Sequence, residues 1–170
     1  MNHSSILAIA LAALLPVVTA CGDDDNPSGL ANNFSATLSG AEEVPANAST
    51  ATGTATFTIA GSAITYTVST TGLANPVLAH IHVAATGVNG PVRLNLCGTG
   101  PPVPDCTEGD GVLATGTNGT AVGITFDELV AAMRAGDTYV NVHTDDGVGQ
   151  SNTGPGDLIA GEIRGQIAAQ

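Results

Sequence analysis

The chain has 170 residues, and its 15 acidic side chains stand against three arginines and no lysine, a formal charge of −12. Such a surface repels nucleic acid and anionic lipid headgroups, so neither is an expected partner. Trp is absent and only five Phe and Tyr occur, which removes the usual platform for stacking sugars or bases.

The first segment reads as an address. After MNHSS comes the apolar run ILAIALAALLPVVTA, too short and wrongly flanked for a membrane span, so residues 1–20 are read as a signal peptide. Val18-Thr19-Ala20-Cys21-Gly22 resembles a bacterial lipobox, in which cleavage exposes Cys21 and its sulfur receives a diacylglycerol. An ordinary signal peptide cut near Ala20 is the alternative, and it would leave Cys21 as a free, exposed thiol, a chemical liability. The n-region departs from the pattern in having no Lys or Arg. Gly22 is not the aspartate associated with inner-membrane retention, which favours the outer membrane. Residues 21–33, with the run Asp23-Asp24-Asp25 and no periodicity, are read as the lipidated cysteine and a flexible acidic tether.

About 150 residues follow the leader, enough for one core and too few for two ordinary domains. From Phe34 the apolar residues recur with period two. ATFTI at 55–59 and ITYTV at 64–68 alternate around the turn AGSA, giving a hairpin with one threonine-rich, wet face. Further strands are expected at 34–40, 77–83, 91–96, 111–116, 138–143 and 159–167, separated by loops rich in Gly, Pro, Asn and Asp. Cys97 and Cys106 flank GTGPPVPD and are expected to form a disulfide outside the cytosol. One helix interrupts the strands. In TFDELVAAMRAG at 125–136, Thr125 and Glu128 make a capping box, Leu129, Val130 and Met133 share a face, and Gly136 is the stop. The expected class is therefore all-β: an antiparallel Greek-key β-sandwich or flattened barrel with one short packing helix.

Taken in order, GAEEVP at 40–45, GTATFTI at 53–59, AHIH at 79–82, NGPV at 89–92, YVNVHT at 139–144 and GEIRGQI at 161–167 resemble a CHRD domain, the module first named for chordin. The resemblance covers residues 34–168. It implies an extracytoplasmic module, lipid-anchored here, whose role is binding or structural rather than catalytic, with an extracellular protein as one class of ligand. A second, architectural resemblance is to copper/zinc superoxide dismutases, which carry an H-x-H pair on one strand and a further histidine on a later one; it implies, as the alternative, a copper- or zinc-binding protein with redox activity. It departs from them in having no bridging histidine, no zinc-ligand cluster and no electrostatic loop.

Four histidines occur in the chain, and His3 leaves with the leader. Side chains at i and i+2 of a strand share a face, so His80 and His82 are neighbours while Ala79, Ile81 and Val83 face the core. By the same parity Val140 and Val142 point inward and Asn141 and His143 outward. If the strands are adjacent, the three imidazoles are a first shell for one Cu or Zn ion, with Glu162, Asp145 or Asp146 supplying a carboxylate or orienting a ring. The alternative is structural, with the ring N–H groups pinning loop carbonyls and no metal bound. Glu42 and Glu43 point apart and make no shared acid/base pair. Asp105, Glu108 and Asp110 lack the spacing of an EF-hand loop, and no G-x-S-x-G elbow or phosphate-cradling loop occurs.

Overall fold

The computed structural model describes Met1 and residues 29–170, so the expected signal peptide, Cys21 and most of the tether lie outside the described residues. Among the described residues nine strands follow in chain order: β1 (Asn33–Ser39), β2 (Thr52–Ala60), β3 (Ala63–Thr71), β4 (Pro76–Val83), β5 (Val92–Cys97), β6 (Gly111–Asn118), β7 (Thr138–Thr144), β8 (Ile163–Gln166) and β9 (Ala168–Ala169). A helix, α1 (Phe126–Ala135), stands between β6 and β7, and a single 3-10 turn, Gly40–Glu42, follows β1.

All the pairings are antiparallel, in the order β5-β4-β7-β8-β1-β2-β3-β6, with β9 on β1. The sheet curls until its two end strands meet. The Asn118 amide on β6 donates to the Asn95 carbonyl on β5 at 2.9 Å, and Tyr66 on β3 donates to the Leu96 carbonyl at 2.7 Å. The protein is thus all-β and barrel-like, with the barrel nearly closed. Closure also leaves few unpaired strand edges.

Period-two patterning explains the interior. Phe34, Leu38, Phe57, Ile64, Tyr66, Val68, Ile81, Leu94, Leu96, Val140, Val142 and Ile163 form one continuous core from all sides of the barrel. Helix α1 covers one end by burying Leu129, Val130 and Met133, with Thr125 accepting from the Glu128 amide and Gly136 in the left-handed region at φ 77°. Cys97 and Cys106 are joined by a disulfide.

The structure departs from expectation at two boundaries. The strand expected at 159–167 is regular only over Ile163–Gln166, because 145–161 runs as a loop over the sheet. The expected tether reaches too far: Asn33 already pairs with Thr58, and Arg134 donates to the Ala31 carbonyl and the Asn32 side chain.

Candidate metal centre

The two outer faces of the barrel differ. On β1, β2 and β3 the outward residues are Ser and Thr, and most are exposed. On β4, β7 and β8 they are His80 and His82, Tyr139, Asn141 and His143, and Arg164, and all of these are buried. Three stretches of chain cover them. Loop 84–91 is held by Arg164, which donates to Asn89 Oδ1 and the Val88 carbonyl, and by Gln166, which donates to the Ala84 carbonyl. Segment 145–162 is tied through Glu162, and 40–51 through the Asn47 amide, which donates to the carbonyls of Gly161 and Glu162.

The β4–β7 register places His80 opposite Asn141, His82 opposite Tyr139 and Leu78 opposite His143, so the three imidazoles converge from two neighbouring strands. Bulges between β4 and β5 flank His80, where they re-aim side chains without breaking the shared face of His80 and His82. One ring nitrogen from each of His80, His82 and His143 lies within 4.8 Å of the others. Ring centroids are 5.1 Å apart for His80–His143, 5.8 Å for His80–His82 and 6.2 Å for His82–His143.

Two of the three tautomers are fixed by backbone carbonyls. His82 Nδ1–H donates to the Gly90 carbonyl at 2.8 Å, and His143 Nδ1–H donates to the Ile159 carbonyl at 2.9 Å. Each ring therefore turns an Nε2 lone pair inward. His82 Nε2 is buried and has no hydrogen-bond partner. His143 Nε2 lies 3.3 Å from His80 Nδ1. Burial, then the neighbouring His143 and His82, push the His80 pKa down to about 4. Burial also lowers His82 and His143 below the ordinary value. All three rings are neutral near pH 7 and keep their lone pairs.

A second layer fixes the orientation of His82. Tyr139 stacks on its ring at 4.8 Å between centroids, and the Arg164 guanidinium lies over the Tyr139 ring, 3.4 Å from its centroid. The Gly90 amide donates to the Tyr139 hydroxyl at 3.0 Å, so one loop residue holds both rings. Gly90 has no room for a side chain, since a Cβ there would stand 2.0 Å from the Val83 carbonyl oxygen.

The carboxylates expected to assist the histidines are placed elsewhere. Glu162 accepts from Ser49 Oγ, Thr144 Oγ1 and the Gly156 amide, a hub that joins β7 to the covering segments. Asp145 accepts from the Gly147 amide and groups with Asp146 and Asp157 rather than with a ring. Backbone carbonyls hold the rings in their place. Asp105, Glu108 and Asp110 form no such group among the described residues, and Asp110 instead accepts from the Gly72 amide.

Glu43 lies against Asn141 and Gly161 in the covered polar layer, while Glu42 is exposed. Burial, opposed by Arg164, pushes the Glu43 carboxyl up to about 7. Its Oε1 and Asn141 Oδ1 are both buried without a hydrogen-bond partner. They pack against Gly161, where a Cβ would come within 2.7 Å of Glu43 Oε1. Strand parity was the available signal for Tyr139 and Asn141. Glu43 lies in the GAEEVP segment, but strand parity does not place it in this layer, because a 3-10 turn and not a strand carries the chain towards it.

Barrel topology and a covered polar face define a class of small all-β module rather than a chain assignment. The CHRD domain model matches residues 34–151, and the chain belongs to the CHRD family. The sheet continues past the matched span, because β8 lies between β7 and β1 and β9 pairs with β1. Comparison with curated proteins yields no match.

Proposed function

We propose that this CHRD domain is a binding module of the cell envelope, held there by a lipid on Cys21, and that His80, His82 and His143 bind one Zn(II) or Cu(II) ion. The nitrogen spacing carries the metal reading. Two nitrogens bound to one tetrahedral ion at about 2.0–2.1 Å stand roughly 3.3–3.4 Å apart. The 3.3 Å between His80 Nδ1 and His143 Nε2 fits that spacing and is long for a hydrogen bond. The unpartnered, buried His82 Nε2 is a third lone pair at the same place. Gly90 and Ile159 supply the orienting carbonyls that such ligands need. Three protein ligands leave a fourth position for water or a small ligand.

The disulfide is compatible with an extracytoplasmic location, and no helix among the described residues is long and apolar enough to cross a membrane. An anchor on Cys21 is the device that supports envelope attachment. Wild-type protein should then partition into detergent, and Cys21→Ser should be released or left unprocessed. Full processing with unchanged membrane association would reject the anchor.

Protein purified from the periplasm without a polyhistidine tag should carry about one Zn or Cu per chain, as three imidazoles make one shell. His143→Ala should lower affinity at least tenfold. The structural reading rests on the hydrogen bonds to Gly90 and Ile159. It predicts no metal uptake, with His143→Ala destabilising by about 1–3 kcal/mol through partners left unpaired. Metal-stripped protein that takes up neither ion would decide for it.

A further inference from the structure

The loop after β7, residues 145–157, brings Asp145, Asp146 and Asp157 together, with one carboxylate oxygen of each within 4.8 Å of the others. Proximity of acids alone means little, but Asp157 is only 4% exposed. Its Oδ2 accepts from the Thr153 amide and hydroxyl, at 3.0 and 2.6 Å. Its other oxygen, Oδ1, is buried and has no hydrogen-bond partner. The Thr153 hydroxyl and amide, with the Asn152 and Asp146 amides also turned toward the group, hold its pKa below the ordinary carboxylate value, so it is ionised. A buried anionic oxygen without a well-formed hydrogen bond of its own carries a desolvation cost that a cation would offset.

No basic side chain answers this charge. The chain has three, Arg93, Arg134 and Arg164, and each is engaged elsewhere. Arg93 donates to the Val122 carbonyl, Arg134 to Ala31 and Asn32, and Arg164 to Val88 and Asn89. The donor set is all oxygen, on a loop, with three formal negative charges. Calcium–oxygen bonds of about 2.3–2.6 Å let two ligands stand up to roughly 5 Å apart across one ion, which the 4.8 Å cluster satisfies. A loop of this kind also tolerates the irregular coordination calcium accepts, whereas magnesium demands near-ideal octahedral geometry.

We infer that Asp145, Asp146 and Asp157 form a second, oxygen-only cation site of the calcium class, separate from the histidine centre. Loop carbonyls and water complete its coordination. The site lies two residues from both His143 and Ile159, so its ion would brace the segment whose carbonyl holds the His143 ring.

The test is calorimetric titration of chelator-treated full chain with CaCl2, repeated with MgCl2. One calcium should bind, with a Kd near ~10⁻⁴–10⁻³ M as for extracellular calcium modules, and magnesium should bind more weakly. Asp157→Asn should weaken calcium at least tenfold. Asp146→Asn, at an exposed position where folding is not at risk, should weaken it several-fold. His82→Ala should leave calcium binding unchanged, which separates this site from the histidine centre. The inference is overturned by the absence of saturable binding up to about 10 mM CaCl2. Equal binding by wild type, Asp146→Asn and Asp157→Asn would also overturn it.

Discussion

His80 Nδ1 faces His143 Nε2 at 3.3 Å across the β4–β7 pairing, although 63 residues separate them in the chain. Because His143 Nδ1–H is committed to the Ile159 carbonyl, His143 Nε2 is the acceptor and His80 must supply the proton in the metal-free protein. Protonating either ring would place a positive charge in this buried pocket, and charging both would set two like charges side by side. Burial and this mutual repulsion hold the His80 pKa at about 4, down from 6.5.

That depression predicts an acid-labile fold. Between pH 6.5 and about 4 the unfolded chain binds protons that the folded His80 refuses, so folding stability falls as pH falls through this window. Above pH 6.5 the contribution is constant. Urea midpoints of metal-free protein across this range should decrease toward acid, and His80→Ala should flatten the slope. An unchanged slope in His80→Ala would assign acid lability to other groups.

Glu43 works in the opposite sense. Its carboxyl titrates at about 7 in the fold and 4.5 when unperturbed, so stability is lost as pH rises from 4.5 to 7. Glu43→Gln keeps the shape and removes the ionisation. It should stabilise the protein above pH 7 by about 1–2 kcal/mol after allowance for solvent screening, with little effect at pH 4. Thermal melts at the two pH values measure the difference.

Arg164 is buried, donates to loop 84–91 and lies over Tyr139, which in turn stacks on His82. Arg164→Ala should destabilise the domain by about 2–4 kcal/mol, since Asn89 and the Val88 carbonyl lose their donor and Tyr139 loses its cap. It should also weaken zinc binding relative to wild type, because the Gly90 carbonyl that orients His82 is carried on the same loop. Amide exchange at residues 84–91 should speed up in this variant.

The Cys97–Cys106 disulfide joins residues nine positions apart in the segment between β5 and β6, the two strands at the ends of the sheet order. The paired Cys97→Ser, Cys106→Ser variant should lose about 2–3 kcal/mol, read from the denaturant midpoint. The histidines lie on the other face of β4, so their metal affinity should change little.

Local pattern determined much of this protein. Alternation in ATFTI and ITYTV specified the β2–β3 hairpin, because side chains on a strand change face at every residue. Thr125, Glu128 and Gly136 marked both ends of α1 through contacts no more than four residues apart, and the structure reproduces them. Cys97 and Cys106 were close enough in sequence to pair without help from the fold. Parity likewise set His80 and His82 on one face, with His143 on the outward face of its own strand. Tertiary structure alone decided that β4 pairs with β7, which turns three separate imidazoles into a cluster. It also decided that loops 84–91 and 145–162 bury that outward face, where alternation by itself implies water. The same covering chain sends Glu162 to Ser49, Thr144 and Gly156, and brings Glu43 from a 3-10 turn into the polar layer. Pairing partners and loop paths depend on contacts between residues tens of positions apart, and a one-dimensional pattern with a period of two carries no record of them.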